Sequence, residues 1–432
     1  MPSVIRKVKD RFQAQGGFLK SVSILAGGTA FAQAIGVLVL PIITRLYSPQ
    51  EFALFAIYSS ILGILAVATC LRFEIAIPLP KNDENALCLF TLALLSNVFI
   101  TLLLLIAVLF FEDQIISLIQ QPDLEPYLWL IPIGVFFAGL YNTLQYWTTR
   151  QKQFSTIAKT RMTQSISSST VQIAGGYIGF GAIGLIIGQI VNFSAGIIRL
   201  FSALWKESGH LFKNISVRKL KKNAKKYDKF PKFSTFEALA HITAIQLPIV
   251  IIGAVSEDAE AGYLMLAMKV MAIPTALIGG AIAQVYLSHA SEYYNNNELR
   301  SYTIETVKKI AKISILPLIL IGVASPFLFP IAFGSEWSEA GYMMVWMIPW
   351  FIMQILSSPV SMALHVTGNQ KAALILQLVG FFLRVIVLLL ICKIEPDLSF
   401  EYYAISGFIF YTLYLAVIMR YLRLGEGLAN GK

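Results

Sequence analysis

The sequence predicts an all-α integral membrane protein, and three observations carry that prediction. Hydrophobic residues make up 56% of the 432 and charged residues only 13%, against roughly 45 to 50% and about 25% in soluble domains; mean hydropathy is +0.69. Apolar stretches of about 20 residues or more, long enough to cross some 30 Å of hydrocarbon, recur along the whole chain. The basic residues crowd into alternate connections between those stretches. Inside lipid every backbone N–H and C=O must be paired within the protein, and at this length a helix is the element that does so.

Twelve such stretches are expected, at residues 21–46, 52–73, 86–111, 127–147, 161–181, 183–205, 234–256, 262–288, 310–333, 341–366, 371–393 and 401–422. In the first, Ala30-Phe31-Ala32 imitates a signal-peptidase site, but the apolar run continues to Leu46, so it is read as a span that stays. No charge separates the fifth from the sixth, and a tight glycine turn near Gly181 is expected there. Pro41, Pro132, Pro248, Pro274, Pro317, Pro349 and Pro359 fall inside spans, where each removes a backbone hydrogen bond and favours a kink.

Counting Lys and Arg by alternate connections places 29 of the 34 on one side. The opposite connections EDQIISLIQQPDLEP and SEDAEAG carry acids and no bases. Short cytoplasmic loops hold the basic excess, so both termini are expected in the cytoplasm. The densest run, KNISVRKLKKNAKKYDKFPKF from Lys213, has nine basic residues around the single acid Asp228. As the central cytoplasmic loop it anchors topology and attracts anionic lipid, and no nucleic-acid partner is expected. The domains follow: a cytoplasmic segment 1–20, a six-helix bundle 21–205, the basic linker 206–233, a second six-helix bundle 234–422 and a tail 423–432. WLIP at Trp129 returns as WMIP at Trp346, and PIITRLYSPQEFALF resembles PIVIIGAVSEDAEAGYL, which suggests two parallel repeats.

Cys70, Cys88 and Cys392 are far apart in apolar runs and give neither a disulfide framework nor metal-ligand spacing, so no metal or cofactor is expected. No Gly-rich phosphate loop, paired-carboxylate constellation or HExxH motif is present, and the longest outer connection, Glu112 to Pro126, lacks Arg, Lys and His. A carrier is favoured over a membrane-embedded polymerase or ligase, and no enzyme is expected.

The segment LPIITRLYSPQEFALFAIYSSILGI after a Gly-rich first helix, the step Arg72-Phe73-Glu74 and the loop TTRQKQF together resemble the polysaccharide-biosynthesis (Wzx-type) branch of the multidrug/oligosaccharidyl-lipid/polysaccharide (MOP) exporter superfamily. The resemblance implies two pseudo-symmetric six-helix bundles around a V-shaped lumen. It also implies a flippase in the bacterial inner membrane for a polyprenyl-pyrophosphate-linked oligosaccharide of O-antigen, capsule or exopolysaccharide type. A polymerase machinery acting on the flipped unit is the partner that goes with it. The alternatives are an ion-coupled drug exporter of the multidrug and toxin extrusion (MATE) type and the polymerase or ligase above.

Charges inside spans cost about 2.5 to 3.5 kcal/mol each at the bilayer centre, so each needs a partner or a wet cavity. Lys269, a third of the way along the eighth stretch, and Arg384, mid-way along the eleventh, are too deep to snorkel. With Arg45 and Arg72 they are candidates to hold an anionic head group, because Arg grips phosphate bidentately and Lys offers a point charge. Structural alternatives stand beside them: Arg45 paired with Glu51, Arg384 with Glu401 or a carbonyl, Lys269 with Glu237. Glu74, Glu237 and His241 are the candidates for Na⁺ or H⁺ coupling, the last two sharing a helix face at a spacing of four. Arg199 is expected to snorkel.

Overall fold

The computed structural model describes residues 27–255, 259–275, 279–367 and 369–430. Within them all twelve predicted stretches fall on helix, and no strand occurs among the described residues. Nine described helices are long and apolar enough to cross a membrane. The other three predicted spans differ for visible reasons. Leu130–Arg150 and Phe154–Ile178 have the length, at 21 and 25 residues, but turn inward a row of hydroxyls and amides that includes Thr143, Thr160, Gln164, Ser168 and Gln172. The 262–288 stretch is described as two helices, Glu260–Pro274 and Gly280–Asn295. The helices divide into two compact units. One comprises the described residues up to Val39 with Leu62–Ile115 and Glu125–Leu239; the other comprises Leu40–Ile61, Ile116–Leu124 and Ala240 onward.

The elements that lie mainly in the first unit are the start of α1 (Gly27–Leu46), the end of α2 (Pro49–Ala68), the short α3 (Phe73–Ala76), α4 (Asp83–Phe110), α5 (Glu112–Ile119), α6 (Leu130–Arg150), α7 (Phe154–Ile178), α8 (Ala182–Ser194), α9 (Ile197–Ser208) and α10 (Val217–Lys226). Helix α4 shows two faces. Phe99, Leu102, Ile106 and Leu109 are exposed, as a lipid-facing surface requires, while Asn97 is buried and donates to the Phe136 carbonyl at 3.0 Å. A Cβ at Gly139 would collide with Asn97 and lie 2.8 Å from Thr69 Oγ1, so glycine is what lets α6 approach this polar pair. The core behind it is Phe90 edge-on to Trp147 at 5.9 Å, with Leu144, Leu200 and Leu204. Helices α7 and α8 are separated by the expected glycine turn: Gly179 and Gly181 have φ of +78° and +66°, a region side-chain-bearing residues rarely enter. The basic run folds as α10, started by Ser216, whose hydroxyl accepts the Lys219 N–H. Lys219 reaches Glu84 at 2.9 Å, while Lys221, Lys222, Lys225 and Lys226 stay exposed.

The second unit holds the end of α1, the start of α2, most of α11 (Thr235–Val255), α12 (Glu260–Pro274), α13 (Gly280–Asn295), α14 (Leu299–Phe333), α15 (Ser338–Ser357), α16 (Ala363–Val366), α17 (Gln370–Phe381), α18 (Val387–Ile394) and α19 (Ser399–Asn430). Helix α2 starts on a reciprocal cap: the Ser48 N–H donates to Glu51 Oε2 at 2.7 Å and the Glu51 N–H to Ser48 Oγ at 3.3 Å, with Pro49 at the first helical position. In α14, Pro326 cannot donate to the Gly322 carbonyl. The Ser325 hydroxyl replaces that donor at 2.7 Å, and lies 2.8 Å from the Gly341 carbonyl of α15, so its one proton serves two acceptors. An aromatic ladder, Tyr293 on Tyr302 at 4.1 Å and Tyr302 on Tyr286 at 5.4 Å, packs α13 against α14.

Candidate functional site

Arg384 is a buried cation of the second unit with no ion pair among the described residues. It is 4% exposed and sits in a π-helical turn, Phe382–Ile386, between α17 and α18. Such a turn carries an extra residue and re-aims its side chains, which is why π-turns recur at functional sites. Three rings surround the guanidinium, with the carbon 4.6 Å from the Phe410 centroid, 5.1 Å from Tyr411 and 5.2 Å from Trp350. Ring faces stabilise the charge by roughly 0.5 to 2 kcal/mol, but accept none of its hydrogen bonds well. Nε and Nη2 are without a hydrogen-bond partner. Among the described residues Arg384 has no ion pair with Glu401, whose Oε2 is itself unpartnered.

A cavity of about 150 Å³ opens beside Arg384, lined also by His241, Ser358, Ser361, Gln377 and Tyr414. Every polar side chain in that lining can donate, and no carboxylate belongs to it. His241 Nδ1 lies 3.3 Å from Gln377 Oε1, which ties α11 to α17. Glycines shape the walls: a Cβ at Gly380 would press on the Phe410 ring, and one at Gly407 would enter the Trp350 indole. The arrangement suits a small anion or one phosphate of a larger ligand.

The other predicted cations lie apart from this cavity. Lys269, on α12, places its Nζ 4.8 Å from the Phe55 ring and 5.8 Å from Phe52. Those two phenylalanines belong to a buried cluster in which Phe52 meets Trp337 edge-on at 4.9 Å. Arg45 donates through Nη2 to the Ile331 carbonyl at 3.0 Å, in the last turn of α14, where unpaired carbonyls attract a cation. Its expected alternative partner, Glu51, is occupied in the Ser48 cap.

Arg72 and Glu74 come together in the first unit, but loosely, with Nη1 and Oε1 3.7 Å apart. Leu71 and Arg72 both have left-handed backbone, φ of +49° and +60°, a costly choice for residues with side chains. The turn buries Glu74 to 4% exposure with Oε2 unpartnered. Glu74 lies outside the long apolar helices, and its burial raises the carboxyl pKa to about 7 despite the nearby Arg72. Arg150, which sequence reading placed only in a loop motif, secures the following segment: Nε and Nη2 grip Asp83 Oδ1 at 3.0 and 2.8 Å, and Nη1 donates to the Pro80 carbonyl at 2.6 Å. Glu237 and His241 occupy one face of α11, both exposed, with His241 turned to Gln377.

Against solved structures, the chain is similar over 94% of its length to an inward-facing multidrug resistance MATE family transporter of the MOP superfamily, with a TM-score of 0.74, 13% identity and 96% of that chain covered. The lipid II flippase MurJ in an inward closed conformation gives 0.72 and 14% identity, covering 94% of this chain and 90% of that one. A MOP superfamily transporter from Pyrococcus furiosus, described as having a binding pocket of reverse polarity, gives 0.55 and 12% identity over 94% and 96% of the two chains. No curated protein matches by sequence. These likenesses show that the chain shares the all-α fold of those transporters, and its long apolar helices mark a multi-pass membrane protein. The family model described as "Polysaccharide biosynthesis protein" matches residues 42–341, more than two thirds of the chain, and the protein therefore belongs to that family.

Proposed function

We propose that this protein is a flippase that moves a polyprenyl-pyrophosphate-linked oligosaccharide from the inner to the outer leaflet of the bacterial cytoplasmic membrane by alternating access, with both termini in the cytoplasm. The observation that carries the reading is Arg384: a buried guanidinium with unpartnered N–H groups beside a donor-lined cavity with no acid. A phosphate oxygen supplies the acceptors and the charge that Arg384 lacks. A cationic drug finds no partner there. Membership of a polysaccharide biosynthesis family supplies the substrate class.

Only the head group enters the protein in this reading. Each buried CH₂ of the tail is worth about 0.8 kcal/mol, so tens of carbons stay in lipid while the charged head crosses. Arg72, and the more engaged Arg45 and Lys269, assist as secondary positive positions along the path. Glu74, buried beside Arg72 with its carboxyl pKa raised to about 7, is the candidate for proton coupling, with His241 and Glu237 as further candidate positions for ion coupling.

The test is the leaflet location of the lipid-linked oligosaccharide in cells depleted of the protein, read with a membrane-impermeant reagent that modifies only outward-facing sugars. Accumulated sugar shielded from the reagent is the expected result. Sugar that accumulates in full contact with the reagent overturns the flippase reading in favour of a polymerase or ligase.

A further inference from the structure

A second cationic site lies in the first unit, with a lining that shares no residue with the Arg384 cavity. Helices α7 and α9 face each other along a groove of about 720 Å³. Each contributes one polar stripe at helical spacing. Thr156, Lys159 and Thr163 come from α7, and Arg199, Ser202 and Lys206 from α9. Between them Gly196 meets Thr160, whose Cβ would be 2.9 Å from an added Cβ, so the glycine sets how closely the helices approach at the floor. None of the three cations forms an ion pair with a described residue. The one acid on the rim, Glu207, accepts from Gln153 at 2.6 Å.

The next stripe of α9 is apolar and open: Ile198 is 81%, Phe201 47% and Trp205 58% exposed, the last two with rings stacked 5.9 Å apart. The buried stripe, Leu200 and Leu204, faces the core. The helical run Ala182–Asn214 has 33 residues, with a turn at Ala195–Gly196, more than the roughly 20 that cross about 30 Å of hydrocarbon. Its α9 end therefore reaches the headgroup layer, where tryptophan concentrates. Cations and hydroxyls on one side and an acyl-compatible face on the other match a phosphate carried on a lipid better than a free ion.

We propose that the Lys159–Arg199–Lys206 groove holds the phosphate of an anionic glycerophospholipid, with its acyl chains along Ile198, Phe201 and Trp205. This site is independent of which substrate is translocated.

The test uses the full-length protein in detergent, titrated with phosphatidylglycerol, phosphatidylcholine, a polyprenyl monophosphate or inorganic phosphate, and read by native mass spectrometry. The triple variant K159Q/R199Q/K206Q should bind phosphatidylglycerol on the order of a hundred-fold more weakly, from about a five-fold contribution per basic residue near the surface. A control with the same charge change on α14, K308Q/K309Q/K312Q, should retain binding. Should the triple variant fail to fold, Ser202→Asp places an acid at an exposed position in the groove and should give the same loss. Equal binding by Ser202→Asp and the unsubstituted protein overturns the proposal. So does equal occupancy by phosphatidylcholine or by inorganic phosphate. A tenfold preference for the polyprenyl phosphate overturns it in favour of a substrate-entry site.

Discussion

Arg384 and Phe410 face each other across 4.6 Å, a guanidinium on a phenyl ring, with hydrogen-bonding capacity on the guanidinium left unused. The ring stabilises the charge, and the unused donors make the position selective for an anion. Replacing Arg384 with Gln should abolish transport while protein levels stay within twofold, because an amide accepts burial more readily than an unpaired charge. Arg384→Lys should recover only a small part of the activity, since an ammonium neither stacks nor grips bidentately. Transport assays paired with quantitation of membrane-inserted protein check both.

Glu74 gives a pH dependence of defined sign. Its folded pKa of about 7 is above the ordinary 4.5, so between those values the folded state holds a proton that the unfolded state has released. Stability therefore falls as pH rises from about 4.5 to about 7 and levels off above, by on the order of 3 kcal/mol in all. The thermal midpoint in detergent should fall across this window, and Glu74→Gln should flatten it.

Arg150 holds Asp83 and the carbonyl of Pro80 with one planar fork. Its removal breaks an ion pair with the half-exposed Asp83 and leaves the part-buried Pro80 carbonyl without this donor, at about 1 to 3 kcal/mol together. Arg150→Ala should lower the thermal midpoint by several degrees and speed proteolysis between residues 77 and 83. Arg150→Lys should rescue little.

Lys269 lies against Phe55 and Phe52, where a methionine also packs well. Lys269→Met should keep the thermal midpoint within about 2 °C, a ΔΔG of less than about 1 kcal/mol in a protein this size. Transport falls at least tenfold if its charge serves the substrate. Unchanged transport in that variant reduces Lys269 to a packing residue.

The helices were legible because length and apolarity suffice to mark a span, and the Gly179–Gly181 turn because two nearby glycines have one physical use there. Arg384 was legible as an anomaly, a charge too deep to reach water. Its cage was not: Trp350, Phe410 and Tyr411 come from α15 and α19, and aromatic residues are too common in such a chain to stand out. Arg199 was expected to reach outward alone, whereas it belongs to a stripe with Ser202 and Lys206. That spacing of three and seven was present in the sequence, and pairing it with the matching stripe on α7 needed the fold. Arg45 binds a backbone carbonyl and Arg150 binds one beside Asp83, and no sequence pattern marks a carbonyl partner.

Any side chain at Gly407 meets the indole of Trp350, and Trp350 is one wall of the Arg384 cage. The two positions are therefore bound in their order of change. A larger residue can enter at 407 only after 350 has shrunk, and a smaller residue at 350 loosens the cage first. A lineage drifting by single substitutions meets a barrier in either direction, which ties this glycine to the arginine through the ring between them.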